Sequence, residues 1–186
     1  MQFNKYPDLK DKHAYLSASK YHWIRYTDEK FDNSYKLHLA AQRGTELHNF
    51  ASEAIRLNVR LKGNTQTIAM YVNDAIGFRM VPEQTLFYSI YCFGTCDAIS
   101  FRRNVLRIHD LKTGTSKASM DQLMVYAALF CLEYEVKPGE IEIHLRIYQN
   151  DDILIFNPEP DDILHIMDRI VYLDKKIQRI RLEQLG

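Results

Sequence analysis

The spacing of apolar residues changes several times along the chain, and each change marks an element. Residues 14–60 read as mainly helical. Within them RGTELHNFASEAIRL sets Leu47, Phe50, Ala51, Ala54 and Asn58 along one side, with Thr45 in the position of an N-cap. TQTIAMYVNDAIGFRM reads as another helix. QTLFYSIYCFGTCDAISF and NVLRIHDLKTG then give three β-rich runs, punctuated by Gly94 and by Arg103-Asn104. A helix over residues 119–135 follows, with Met120, Met124, Ala127, Ala128 and Cys131 as its apolar stripe and Gln122 and Tyr126 on nearly the opposite side. EIEIHLRIYQNDDILIFN alternates with period two around Asn-Asp, as a hairpin does, and Pro160 opens a last helix of roughly seven turns. Helix, three strands, helix, two strands and helix in that order predict an α/β fold: a mixed central sheet flanked by helices, with a helical N-terminal region and a long C-terminal helix.

Alternation then locates an anomaly. Over residues 105–112 one strand face carries Leu106, Ile108, Asp110 and Lys112, while the other carries Val105, Arg107, His109 and Leu111. The same count on the preceding strand puts Asp97 with Thr95, Ile99 and Phe101. Two carboxylates and an amine at the end of an apolar face are costly, because burial and mutual repulsion raise the energy of both acids unless a cation compensates. A divalent metal would supply that compensation. The plainer alternative for Asp110 and Lys112 is an ion pair at a strand end, which is common and worth little. Gln122 and Tyr126 read equally well as a solvated helix face, and His48, at the border of its helix's apolar stripe beside Ser52 and Ile55, as a packed or capping residue.

Composition narrows the field. The 186 residues, 46% hydrophobic, suffice for one globular domain spanning 1–186. Lys plus Arg and Asp plus Glu number 24 each, so any nucleic-acid contact rests on local basic residues rather than on a global field. Cys92, Cys96 and Cys131 have neither CxxC spacing nor a nearby histidine pair, which fits plain thiols in a reducing compartment. With no charged-then-apolar leader and no run of about 18 apolar residues, the expectation is a soluble, cytoplasmic protein without a membrane partner.

GTCDAISF, IHDLKTG and DQLMVYAAL, preceded by RGTELH, resemble in order and spacing the successive motifs of the PD-(D/E)XK nuclease superfamily, across residues 43–130. The resemblance is to the branch of RecB-type nuclease domains and of CRISPR-associated and phage exonucleases. It implies a restriction-endonuclease-like core and a DNA exonuclease dependent on Mg2+ or Mn2+, acting in recombination, repair or phage DNA processing. Carried over by position, it implies Asp97 and Asp110 as metal ligands and catalytic acids, and Lys112 beside the attacking water. It also implies the Leu111 carbonyl and His48 as further ligands, and Gln122 and Tyr126 as the Q-x-x-x-Y element that touches substrate. Arg43 and Lys117 adjoin these motifs and are the preferred phosphate contacts. No cysteine cluster matches the iron-sulfur site of some relatives, and no helicase or phosphate-loop motif occurs, so unwinding would fall to a recombination or replication protein partner. A structure-specific or nicking endonuclease, and a non-catalytic nuclease-fold DNA-binding or assembly protein, stay open beside the exonuclease. Ile163, Ile166, Ile170, Leu173, Ile177 and Ile180 form a coiled-coil-like seam, to be packed on the protein's own sheet or on a second copy in a homo-oligomer.

Overall fold

A computed structural model describes residues 2–63 and 65–185. The chain groups into two compact units, Met1–Arg43 and Gly44–Gly186. In the first, short 3-10 turns at Pro7–Leu9 and Ala18–Arg25 precede helix α1 (Asp28–Arg56), which continues into the second unit. Thr27 caps α1, its Oγ1 accepting from the Lys30 amide at 3.3 Å. Thr45 is therefore not a cap but lies well inside the helix, because the helix-forming sequence runs on through residues 28–43 and tolerates Gly44. Tyr15 packs on Phe31, Tyr35 and His38 and donates to Ser34 Oγ at 2.7 Å. No described residue of this unit is fully buried.

In the second unit α2 (Thr67–Gly77) leads into β1 (Val81–Ser89), β2 (Cys92–Arg102) and β3 (Val105–Leu111). Helix α3 (Asp121–Glu133) follows, then β4 (Glu142–Gln149), β5 (Asp152–Phe156) and α4 (Pro160–Leu185). The five strands stand in sequence order, antiparallel except for the parallel pair β3–β4. That parallel step is the crossover that α3 makes possible. Arg103-Asn104 and Asn150-Asp151 all have positive φ, as tight hairpin turns between right-twisted strands require.

Two cores lie on opposite sides of the sheet. On one, Leu86, Ile99, Leu106, Ile108, Leu145 and Ile147 pack against α3 and the start of α4. On the other, Ala98, Leu111 and Tyr148 pack against the end of α1 and α2. The buried face of α1 is Ala51, Ser52, Ala54 and Ile55; Phe50 is 53% exposed and Asn58 lies beyond the helix, so the expected stripe is rotated toward His48. Helix α3 buries Leu123, Leu129 and Phe130 besides Ala127, Ala128 and Cys131, because it lies between the sheet and α4 and needs more than one apolar stripe. The seam of α4 divides. Ile163 and Ile170 are buried in the protein's own core, whereas Leu173, Ile177 and Ile180 are exposed. All three cysteines are free, and burial pushes the Cys96 and Cys131 thiols up to about 12 and about 11. Among the described residues no helix is long and apolar enough to cross a membrane.

Candidate metal and catalytic site

The site forms where β2 and β3 part. Their pairing ends at Ala98↔His109, while β3 runs on beside β4 to Leu111↔Tyr148. The backbone amide of Leu111, left without a strand partner, donates instead to Asp97 Oδ2 at 2.8 Å. The next amide, Lys112 N, donates to Tyr148 O at 2.9 Å. The peptide joining Leu111 to Lys112 is trans, so its carbonyl points the other way, into the gap that β2 vacates. The Leu111 carbonyl is thus available to a ligand.

Strand alternation also breaks here. Cys96 and Ile99, three residues apart, belong to the α3-side core, while Ala98 belongs to the α1-side core. Asp97 therefore shares a face with Thr95 but not with Ile99 and Phe101, contrary to the strict alternation expected from sequence. Its cross-strand neighbour explains the break. Glu83 stands between the pairs Pro82↔Ala98 and Gln84↔Cys96, opposite Asp97, with φ at 54°. A glutamate in that left-handed region reorients the strand and carries local strain.

Glu83 is the residue sequence reading missed. Ligand atoms of His48, Glu83 and Asp97 all lie within 4.8 Å of one another, a spacing one ion can bridge. The strand signal in the sequence begins at Gln84 and leaves Glu83 outside it; folding the hairpin back about Ile90-Tyr91 is the step that puts residue 83 opposite 97.

His48 reaches the acids from α1, its Nδ1 3.5 Å from Asp97 Oδ2. The approach depends on Gly44 one turn earlier. A Cβ there would stand 2.8 Å from Thr113 Oγ1, so the bare backbone lets the helix lie against the loop that follows Lys112. The bond to Asp97 raises the pKa of His48 against the opposing effect of burial, and the charges of Asp97, Asp110 and Glu83 add to the rise. Partial burial, then Asp97, raises Glu83, even though it is exposed as a residue.

Asp110 is 3% exposed. Burial raises its carboxyl, Asp97 raises it further, and Lys112 opposes both. Lys112 Nζ donates to Oδ1 at 3.2 Å; it also lies 3.0 Å from Oδ2, but in a direction that leaves Oδ2 without a hydrogen bond. Ion pair and orphaned oxygen coexist because the amine satisfies one oxygen while merely attracting the other. Lys112 is in turn held by Gln122 Oε1 at 2.9 Å, Gln122 Nε2 donates to Tyr126 Oη at 3.2 Å, and Tyr126 donates to Thr95 O at 2.7 Å. Gly94 makes room for that ring, since a Cβ would stand 3.0 Å from Tyr126 Cε1.

The predicted residues thus separate into three groups. Asp97, Asp110, Lys112, His48 and Leu111 surround the parting of the strands. Gln122 and Tyr126 bond to Lys112 and β2 rather than standing free. Lys117 is exposed and lines, with Lys112 and Gln122, the cleft between the β3–α3 loop and α3, whereas Arg43 is an exposed residue of α1 in the first unit. His109 faces away from the acids, enclosed by Phe78 and Tyr148.

Comparison of the chain with protein-family models, curated proteins and solved structures finds no match.

Proposed function

We propose that this chain is a Mg2+- or Mn2+-dependent deoxyribonuclease of the PD-(D/E)XK superfamily, with a restriction-endonuclease-like core, that degrades DNA from an end. The observation that carries the reading is the clustering of His48, Glu83 and Asp97 ligand atoms within 4.8 Å of one another, next to the buried carboxylate of Asp110. Burial of the Asp110 carboxylate is costly, and repulsion from Asp97 adds to the cost, with Lys112 offsetting part of it. A cation would remove both. Asp97, Asp110, Glu83, the Leu111 carbonyl and His48 offer the donors to hold it, mostly hard oxygens that suit Mg2+ or Mn2+, with an imidazole that favours the latter. Such an ion, when bound, lowers the pKa of water and neutralises charge on a phosphoryl oxygen.

The chain's own groups account for the rest. Lys112, fixed between Asp110 and Gln122, presents an ammonium that can orient a water by hydrogen bonding and stabilise charge building on the phosphate. Tyr126 and Gln122 keep that amine aligned. Asp97 holds the end of β3 by accepting from the Leu111 amide, so a hydrogen bond from backbone to side chain couples the positions of both acids. Hydrolysis would leave a 5′-phosphate and a 3′-hydroxyl. Unwinding, where a substrate needs it, would come from a recombination or replication partner.

The test is digestion of end-labelled linear DNA and closed circular DNA with Mg2+ or Mn2+, comparing wild type with Asp110→Ala and Lys112→Ala. Linear DNA should be shortened only by the wild type, and closed circles should persist. Cleavage of closed circles would convert the reading to an endonuclease. Binding without cleavage, unchanged by Asp110→Ala, would mean a non-catalytic DNA-binding protein.

A further inference from the structure

The β1–β2 ribbon carries on one face the cross-strand pairs Thr85↔Thr95 and Phe87↔Phe93, in line with Glu83 and Asp97, which stand between the pairs Pro82↔Ala98 and Gln84↔Cys96. The intervening pairs, Gln84↔Cys96 and Leu86↔Gly94, belong to the face that α3 covers, where Leu86 and Cys96 are buried and Tyr126 lies over Gly94. Among the described residues, His48 of α1 reaches the acidic end of the first face, and the threonine and phenylalanine pairs stay open. Phe93 is 60% exposed and Phe87 is 47% exposed, and Thr85 and Thr95 are exposed with them.

Each pair has a distinct chemistry. Glu83 and Asp97 are two of the three clustered ligands. The hydroxyls of Thr85 and Thr95 bond to each other at 2.9 Å; because each has one hydrogen and the bond uses one, a donor remains for an outside acceptor. The phenyl rings stand 6.3 Å apart and 28° from parallel, an aromatic surface that contributes nothing to either core. Along β2 the step from Asp97 to Phe93 is four residues, about 13 Å at roughly 3.3 Å per residue.

We propose that this face is a track for a single-stranded DNA end: carboxylates at the phosphate to be cut, hydroxyls on the neighbouring sugar-phosphate oxygens, and Phe87 with Phe93 stacking on an unpaired base. The proposal rests on the nuclease reading above and names its substrate as an unpaired strand. A base inside a duplex has both faces occupied by its neighbours and its edge by its partner, whereas each base of a single strand can turn a free face to an aromatic side chain. The ladder has no lysine or arginine, so the rings supply attraction that phosphate contacts here do not. A second copy of the chain would be an apolar occupant, but the face runs without a break from aromatic to hydroxyl to carboxylate, the order a polynucleotide matches.

The experiment measures binding of labelled single-stranded and blunt double-stranded oligonucleotides by fluorescence anisotropy, with calcium as the cation, for wild type, F87A/F93A and F87Y/F93Y. Loss of one stacked base should weaken single-strand binding about 5- to 150-fold in F87A/F93A, lower the single- to double-strand affinity ratio in proportion, and be rescued in F87Y/F93Y. No loss, an equal loss on both substrates, or a change in sedimentation without a change in single-strand affinity would overturn it, the last assigning the face to a second copy. A manganese cleavage assay on the same proteins separates the two readings. Wild type that cuts while Asp110→Ala does not, with F87A/F93A binding like wild type, removes only the track; wild type that neither binds nor cuts DNA removes both.

Discussion

His109 gives the protein a specific acid sensitivity. Its ring is fully buried, edge-on to Phe78 at 5.7 Å and 5.3 Å from Tyr148, with Arg107 and Arg146 both stacked on Phe78 nearby. Tyr148 spends its one hydrogen on Asp74 Oδ2 at 2.7 Å, so the 3.2 Å contact with His109 Nδ1 requires Nδ1 to carry the proton. Nε2 is then a buried lone pair without a partner. Burial first, then the nearby Arg146 and Arg107 charges, lowers the imidazole to about 3. The folded pKa lies below the unfolded value of about 6.5, so between them the unfolded chain binds one more proton and stability falls as pH falls. Relative to pH 8 the loss is about 0.8 kcal/mol at pH 6 and about 2 kcal/mol at pH 5. His109→Leu removes the titration. Its stability difference from wild type, measured by urea unfolding followed by circular dichroism, should shift in the variant's favour by about 2 kcal/mol between pH 8 and pH 5. A difference that stays constant across that range would refute the assignment of a neutral His109.

Two further outcomes follow from the acid cluster. Asp110→Asn keeps an oxygen for Lys112 but removes a buried charge, so the metal-free variant should melt about 2–4 °C higher while losing both cleavage and stabilisation by Mn2+; scanning fluorimetry with and without the metal checks this. Glu83→Gln should raise the Mn2+ concentration needed for half-maximal cleavage on the order of 10- to 100-fold, and an unchanged metal titration would remove Glu83 from the ligand set.

Local pattern determined a good deal by itself. Period-two alternation from Val105 to Leu111 separates Leu106 and Ile108 from His109 and Leu111, and the two cores show that division. The Asn-Asp turn, the crossover helix and the long terminal helix are likewise set by short-range rules. Rules of that range fail where a distant segment intervenes. Thr45 reads as a cap, yet the helix passes through it and Gly44, and Gly44 lies against Thr113, a neighbour that no local window contains. The facing of Asp97 depends on Glu83 at positive φ and on β3 leaving β2 for β4, two events set by pairing across strands. Residue type and spacing thus point to Asp97, Asp110 and Lys112, and the family resemblance adds His48. Tertiary structure decided that Glu83 joins them, that Asp110 is buried beside Asp97, and that two phenylalanines lie open on the same ribbon, because each depends on which backbones meet rather than on which residues adjoin.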